Sequence, residues 1–129
     1  MIELLKQIAT NIYSTLGPGF SESIYHRAFE YELRANNIQY ESEKIIPIHY
    51  KNIQVGYGRA DIVLPNLCII EFKSISTLRN IDLNQLKNYI THSHDSFQYA
   101  IAINFPTQTN KNIEFITLEN PGDAEKIPP

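Results

Sequence analysis

The sequence predicts one α/β domain of the mixed α+β type, in which helices flank a central mixed sheet. Three observations carry this prediction. The apolar residues recur at helical spacing up to Ala35, at strand spacing from Lys44 to Lys73, and at helical spacing again from Asn80. A chain of 129 residues fits one domain that buries roughly two-thirds of the surface of its unfolded form. Its hydrophobic content of 43% with 19% charged residues is ordinary for a globular protein and argues against a disordered chain.

Two amphipathic helices come first in the predicted order. Apolar side chains recur every third or fourth position in residues 2–16, and the Gly17-Pro18-Gly19 turn ends this helix. A second helix is predicted from Phe20 to Ala35, and Asn36-Asn37 suits its carboxyl-terminal cap. The apolar stripe of this helix comprises Ile24, Tyr25, Ala28, Phe29 and Leu33.

Three consecutive strands are predicted next, arranged as a meander. They cover Lys44–Tyr50, Ile53–Leu64 and Leu67–Lys73, with Lys51-Asn52 as the first turn. Pro47 suits an edge strand, because proline cannot donate a hydrogen bond to a neighbouring strand.

The remaining elements complete the order ααβββαββ. Asn80 can cap a third helix, and Phe97–Phe105 and Asn112–Leu118 have the composition of two further strands. Residues 119–129 are rich in proline and charge. We therefore predict a single domain at residues 1–118 and a loosely ordered carboxyl-terminal tail at residues 119–129.

Composition and charge narrow the possible functions. No apolar run approaches the roughly 18 residues that span a bilayer, and residues 1–6 lack the apolar region of a signal peptide, so we expect a soluble intracellular protein of the cytoplasm, nucleoid or nucleus. The single cysteine, Cys68, lies in an apolar run and excludes intrachain disulfide chemistry. A net charge of -3 argues mildly against nucleic-acid binding. Carboxylates that bind divalent cations would produce the same charge.

The strongest candidates for catalytic residues are Glu71 and Lys73. On a strand they project from the same face, while Ile70 and Phe72 project from the other. An ion pair at the solvated end of an edge strand is one explanation. The preceding run, residues 67–70, is apolar on both faces and indicates an interior strand, where charged side chains need a functional reason.

Asp61 reaches Glu71 only in one hairpin register. If Pro65-Asn66 forms a two-residue turn, Asp61 lies opposite Ile70, and the two carboxylates project from different faces. If residues 65–67 form the connection, or a bulge lies near Asp61, then Asp61 pairs with Glu71 at a Cβ distance of roughly 4.5–5.5 Å. Two carboxylates this close need a proton or a cation between them, and Mg²⁺ prefers such oxygen ligands. We predict the second register.

Several separated motifs follow one another along the chain. Residues 19–25 read Gly-Phe-Ser-Glu-Ser-Ile-Tyr, and they are followed by Arg59-Ala60-Asp61, by Glu71-Phe72-Lys73, and by Gln85 with Tyr89. Together these motifs resemble, in content and order, the GxxExxY group of the PD-(D/E)XK nuclease superfamily.

Two further stretches bear on this resemblance. Ala100–Phe105 resembles the later "Ile-Asn-Phe" strand of the group. Gly58 stands where the group more often has an aromatic residue, and Tyr57 precedes it. The resemblance covers most of the chain from Leu16 to Phe105.

The resemblance implies a restriction-endonuclease-like core and a metal-dependent (endo)nuclease that hydrolyses phosphodiester bonds, with DNA as the expected substrate. By the same resemblance, Asp61, Glu71 and the backbone carbonyl of Phe72 would bind Mg²⁺, for which Mn²⁺ could substitute. Glu22 would be a further ligand, directly or through water, and would belong to the catalytic set.

The resemblance also implies roles for residues around these ligands. Lys73 would hold or help deprotonate the attacking water, and Gln85 would orient the water or a phosphate oxygen. Arg59 would clamp a phosphate, and Tyr89 would support the site from the substrate side. For Arg59, a structural surface arginine is an equally good explanation.

Other interpretations of the sequence remain open. His92-Ser93-His94-Asp95 resembles a metal-binding tract, but we interpret it as an ordinary helix end. The chief alternative function is a module on the nuclease fold that binds nucleic acid or protein without cutting. A third possibility is an interaction protein in which Glu71 and Lys73 form only an ion pair. A homodimer is a reasonable assembly, since two compact nuclease domains can pair across a duplex.

Overall fold

The computed structural model describes residues 1–93 and 96–120. Within these residues the order of elements is ααβββαββ, which confirms the predicted order. The helices are α1 (Ile2–Leu16), α2 (Glu22–Ala35) and α3 (Asn80–His92), and the strands are β1 (Glu41–Tyr50), β2 (Ile53–Leu64), β3 (Cys68–Lys73), β4 (Tyr99–Asn104) and β5 (Glu114–Glu119).

The strands form a five-stranded mixed sheet in the spatial order β1-β2-β3-β4-β5. β1, β2 and β3 are an antiparallel meander, and Pro47 lies on the edge strand β1, as predicted. β3 and β4 are parallel, and α3 makes the crossover that a parallel pair requires. β5 closes the other edge, antiparallel to β4.

The sheet separates two apolar cores. On one face, α1 and α2 pack against Ile62, Ile70 and Phe72. On the other, α3 packs against Val63 and Ile69. β3 therefore has a core on both sides, which confirms the prediction that it is an interior strand.

Some element boundaries and faces differ from the prediction. α2 begins at Glu22 instead of Phe20, and Ile24 of the predicted stripe is 41% exposed. The buried line of α2 consists of Tyr25, Phe29 and Leu33, spaced four residues apart, and Ile24 is rotated about 100° away from it.

Two predictions fall on residues outside the described part of the chain. His94-Asp95 of the possible metal tract lies there, as do residues 121–129 of the predicted tail. The boundary between domain and tail therefore stays a prediction. No helix among the described residues is both long and apolar enough to cross a membrane.

Candidate active site

The register of β2 and β3 decides whether the predicted carboxylates meet. Leu64 pairs with Cys68, so residues 65–67 form a three-residue connection. Continuing the same register along the strands sets Asp61 opposite Glu71. The predicted register is therefore confirmed.

The carboxylates of Asp61 and Glu71 each accept a hydrogen bond from a backbone N–H of the facing strand. The Asp61 N–H donates to Glu71 Oε1 at 3.3 Å, and the Phe72 N–H donates to Asp61 Oδ2 at 2.7 Å. The backbone pairing of the two strands ends just before this point, at Ile62 and Ile70. Side-chain oxygens thus replace the strand-to-strand bonds, and both carboxylates are held in fixed positions.

The strand β2 is twisted locally at Asp61. Ala60 and Val63 both belong to the core beneath α3, although residues three apart on a regular strand lie on opposite faces. Ile62 belongs to the other core. The alternation of side chains is therefore broken between Ala60 and Val63, where Asp61 lies.

The alternation of side chains between the two faces is also broken in the neighbouring strand β1. Ser42 Oγ contacts His26 Nε2 of α2 at 3.0 Å, whereas Ile46, four residues on, packs beneath α3. Between them Glu43 has a φ of 54°, which is unusual for a residue in a strand. β1 and β2 keep the same register on both sides of Glu43 and Asp61, so the two breaks compensate each other.

Burial governs the charge of the carboxylate pair. Glu71 is only 6% exposed, and its burial, together with the charge of Asp61, raises its pKa to about 9. Burial also raises the pKa of Asp61. In the metal-free protein at neutral pH, a proton on Glu71 therefore relieves the repulsion between the two groups.

Lys73 links β3 to α3. Its Nζ donates to Gln85 Oε1 at 3.2 Å and lies 3.8 Å from Asp82 Oδ1. Gln85 Nε2 in turn donates to the Tyr89 hydroxyl at 3.4 Å. The predicted residues Glu71, Lys73, Gln85 and Tyr89 are thus brought together on one face of the sheet.

The sequence prediction missed Asp82. It is 4% exposed and receives hydrogen bonds from the Arg79 backbone N–H at 2.8 Å and from the Arg79 guanidinium at 3.1 and 3.2 Å. These bonds to Arg79 lower the pKa of Asp82, which keeps it ionised beside Lys73. Arg79, not Asn80, precedes the first helical residue of α3. An acidic residue three positions after this cap is the sequence signal that could have identified Asp82.

Tyr89 and Gly58 join α3 to β2. The Tyr89 hydroxyl accepts the Arg59 N–H at 3.4 Å and donates to the Arg59 carbonyl at 3.3 Å. A Cβ atom at Gly58 would lie 2.2 Å from Cε1 of Tyr89. The tyrosine ring therefore occupies the space that a larger residue at position 58 would need.

Arg59 is not brought to the carboxylates by any contact of its side chain. The residue is exposed, and within the described part of the chain its guanidinium makes no hydrogen bond or ion pair. Only its backbone is tied to Tyr89. A role of Arg59 in binding substrate stays a prediction.

Glu22 lies in the exposed first turn of α2. Although the residue is exposed, nearby protein atoms partly desolvate its carboxyl group and raise its pKa. Lys73 opposes this shift, and the charges of Asp61 and Asp82 reinforce it. The glutamate is therefore within electrostatic reach of the site. Its place as a metal ligand stays a prediction.

Tyr25 holds the turn that precedes Glu22. Its hydroxyl donates to the Gly17 carbonyl at 2.6 Å and accepts the Phe20 N–H at 3.4 Å. Its ring stacks on Phe105 at a centroid distance of 4.2 Å. Tyr25 therefore has a structural function, fixing where α2 begins.

Asn104 holds the loop that follows Lys73. This asparagine of the Ala100–Phe105 stretch is completely buried, and it bonds both the N–H and the carbonyl of Ile75. Its amide also donates to Glu114 at 2.8 Å, and Glu114 accepts the Leu78 N–H at 3.0 Å. This network fixes the path from β3 to the start of α3.

The donors near Asp61 fit a hard cation in their chemistry. Asp61, Glu71 and the Phe72 carbonyl provide oxygen atoms where the two strands meet, and Mg²⁺ commonly binds one or two carboxylates while keeping several waters. Across residues 1–93 and 96–120, no three His, Cys, Asp or Glu side chains converge into a metal-binding cluster. Among the described residues, the side chains that could hold a cation here are thus Asp61 and Glu71, unless Glu22 turns toward them.

A cleft of about 620 Å³ lies beside Lys73. Ile48 and Tyr57 of the β1–β2 hairpin line one part of it, and residues of α3 line another. Lys73 and Gln85 also line the cleft, so these two side chains are open to a bound molecule, whereas Asp61 and Glu71 are not among the lining residues.

Comparison with known proteins places the chain in a family. A family model described as the PD-(D/E)XK nuclease superfamily matches residues 1–116, which include every element through β4 and the first half of β5. No curated protein and no solved structure shows a significant match to the chain. The finer assignment to the GxxExxY group stays a sequence-based prediction. From the extent of the family match, we conclude that the chain belongs to the PD-(D/E)XK nuclease superfamily.

Proposed function

We propose that the protein is a metal-dependent nuclease that hydrolyses phosphodiester bonds in DNA. The observation that carries this proposal is the facing pair of half-buried Asp61 on β2 and buried Glu71 on β3, each held by a backbone N–H of the opposite strand, with Lys73 on the strand that carries Glu71. Burying two like charges is unfavourable, and a divalent cation is the partner that would repay that cost. Membership of a nuclease superfamily supports the same conclusion.

The carboxylates and one carbonyl would hold the metal. Asp61, Glu71 and the Phe72 carbonyl would bind Mg²⁺, or Mn²⁺ in its place, with Glu22 as a further ligand directly or through water. When bound, such an ion polarises a phosphate and lowers the pKa of a coordinated water. Glu71 must lose its proton before it can bind a cation, because its pKa in the metal-free protein is about 9.

Lys73 would act on the substrate side of this site. Its ammonium group is held by Gln85 and lies near Asp82, so it is oriented without being neutralised by a close, bidentate ion pair. In that position it would hold the attacking water and offset the negative charge that develops on the phosphate. Gln85 would position Lys73, and Arg59 would contact a phosphate.

The decisive test measures cleavage of linear, single-stranded and branched DNA in the presence of Mg²⁺ or Mn²⁺. Asp61→Ala should abolish cleavage, and Lys73→Ala should reduce it by about a hundredfold or more. Lys6→Ala is a matched control, because the Lys6 ammonium lies near Glu3 and over the ring of Phe115, which packs against the core beneath α1 and α2. Cleavage that survives both site substitutions, or no cleavage of any substrate, would reject the mechanism. The second of these results would favour a non-cleaving binding module.

A further inference from the structure

The β1–β2 hairpin extends beyond the rest of the sheet as a two-stranded ribbon. β1 and β2 pair as far as Tyr50 and Ile53, whereas β2 pairs with β3 only from Ile62 to Leu64. At roughly 3.3 Å per residue, the part of β2 without a second neighbour is about 30 Å long. We call residues 44–60 the ribbon arm.

Five large apolar side chains of the ribbon arm are exposed. A sheet that covers a core buries every second side chain. In the ribbon arm, the buried side chains are Ile46 and Ala60, which lie at its base. Clusters of large exposed apolar residues mark interaction surfaces. The large apolar residues exposed on the arm, each between 47% and 67% exposed, are Ile45, Tyr50, Ile53, Val55 and Tyr57.

The ribbon arm is also the basic part of an acidic protein. It contains Lys44, Lys51 and Arg59 and no Asp or Glu, whereas the whole chain has 14 acidic residues against 11 Lys and Arg. Lys44 is paired with Glu41 at 2.9 Å. Among the described residues, no carboxylate forms an ion pair with Lys51 or Arg59. This charge favours a polyanionic partner.

The cleft connects the ribbon arm to the candidate active site. Tyr57 lines the cleft from the arm, and Asn84 and Asn88 line it from α3. Lys73 lines it as well, on the same strand face as Glu71. A polymer bound along the arm would therefore be led toward the residues proposed to cut it.

We propose that the ribbon arm binds a single-stranded segment of nucleic acid and directs it through the cleft to Lys73. The proposal rests on the nuclease function proposed above for the destination, but the binding itself needs no cleavage. Tyr57 stacks on a base, and Lys51 contacts a phosphate. Unpaired bases present the aromatic faces on which tyrosine stacks, whereas the bases of a duplex already stack on one another.

A second copy of the chain is the competing occupant. The free edge of β2 could pair with another strand. Pairing two arms would, however, bring Lys51 and Arg59 of both copies close together, and like charges repel. The charge of the arm therefore favours nucleic acid over self-association.

Fluorescence anisotropy in EDTA tests the proposal without cleavage. The probes are a labelled single-stranded oligonucleotide and a duplex of the same sequence, with the full chain and its variants Tyr57→Ala, Tyr57→Phe and Lys51→Ala. Tyr31→Ala is a matched control, because Tyr31 on α2 is 62% exposed and Tyr57 is 61% exposed. Lys6→Ala is the control for charge. Thermal melts establish that each variant is folded, and sedimentation measures association of the free protein.

We expect the single strand to bind more tightly than the duplex. Tyr57→Ala should weaken single-strand binding about fivefold or more, because one stacked base is lost, while Tyr57→Phe retains it. Lys51→Ala should reduce the slope of log affinity against log salt by about 0.7, the value for one phosphate contact with a single strand. Both controls should bind as the unchanged chain does.

Several results would overturn the proposal. These are duplex binding as tight as single-strand binding, equal affinity in Tyr57→Ala, no binding of either probe, and an arm-dependent dimer that binds neither. Failure of the nuclease function gives a different result. Arm-dependent binding in EDTA without cleavage in Mg²⁺ would support the ribbon arm and reject the catalytic proposal.

Discussion

The two faces of the sheet use the same strands for different purposes, and β3 shows the contrast within six residues. Toward α1 and α2 it presents Cys68, Ile70 and Phe72, all of them core residues. Toward α3 it presents Ile69, then Glu71 and Lys73. One face therefore supplies the apolar burial that allows the other to carry charge at the end of an interior strand.

The two faces of the sheet also differ in the size of the side chains that pack there. Beneath α2, Phe29 packs on Phe72 at a centroid distance of 5.1 Å. Beneath α3 the sheet presents small residues, Ala60, Ala100 and Ala102. Large rings fill the first core, whereas the small residues leave room for α3 to approach the sheet and bring its polar side chains to Lys73.

The largest expected effect comes from Lys73, on the polar face. Lys73→Ala should reduce cleavage by about 10²- to 10⁴-fold, because the group that would assist the attacking water is lost. The free energy of unfolding should change little, since Lys73 lies at the edge of the core. Single-turnover cleavage assays and urea denaturation measure the two quantities. A variant that unfolds more easily yet cleaves normally would show that Lys73 is a structural residue.

On the apolar face, a substitution should instead change the free energy of unfolding. Phe29→Ala should lower the free energy of unfolding by about 3–5 kcal/mol, the usual cost of removing a buried aromatic ring. Tyr31→Ala on the same helix should change it by less than about 0.5 kcal/mol, because Tyr31 is exposed. Urea denaturation checks both. Similar small effects at the two positions would contradict the conclusion that the face beneath α1 and α2 provides the apolar burial that stabilises the fold.

A smaller effect is expected where α3 meets β2. Gly58→Ala should destabilise the fold by about 1–3 kcal/mol, because the new Cβ overlaps the Tyr89 ring. Gly56→Ala is the matched control, since a Cβ there meets nothing within 4 Å. Adding Tyr89→Ala to Gly58→Ala should remove the clash. If the two substitutions are simply additive in a double-mutant cycle, Gly58 is not constrained by Tyr89.

The most specific effect is a pH dependence. The pKa of Glu71 is about 9 in the folded protein against 4.5 ordinarily, so between these values the folded chain keeps a proton that the unfolded chain has lost. The stability contributed by that proton is present at low pH and decreases as pH rises across this window. Glu71→Gln should flatten the decrease when denaturation is compared at pH about 5 and about 8. An equal slope in the variant would place the titrating group elsewhere.

Much of the fold followed from patterns along the chain. The Gly17-Pro18-Gly19 turn, the strand ending at Leu64 and the apolar run before Glu71 all predicted elements that the structure contains. These features are local, because a helix or strand shows its buried face through the spacing of its own residues. Asp82 was missed because a lone acidic residue in a first helical turn has an adequate local explanation in the cap that it forms with Arg79.

The sequence by itself determined the order of the elements and the interior position of β3. It also limited the pairing of β2 with β3 to two registers, only one of which sets Asp61 opposite Glu71. Only the tertiary structure decided that residues 65–67 form the connection and that the side-chain alternation breaks at Asp61, with a compensating break at Glu43. It also decided that Gly58 makes room for Tyr89. The physical reason is that periodicity reports which side of an element is buried, whereas register and close approach depend on segments far apart in sequence.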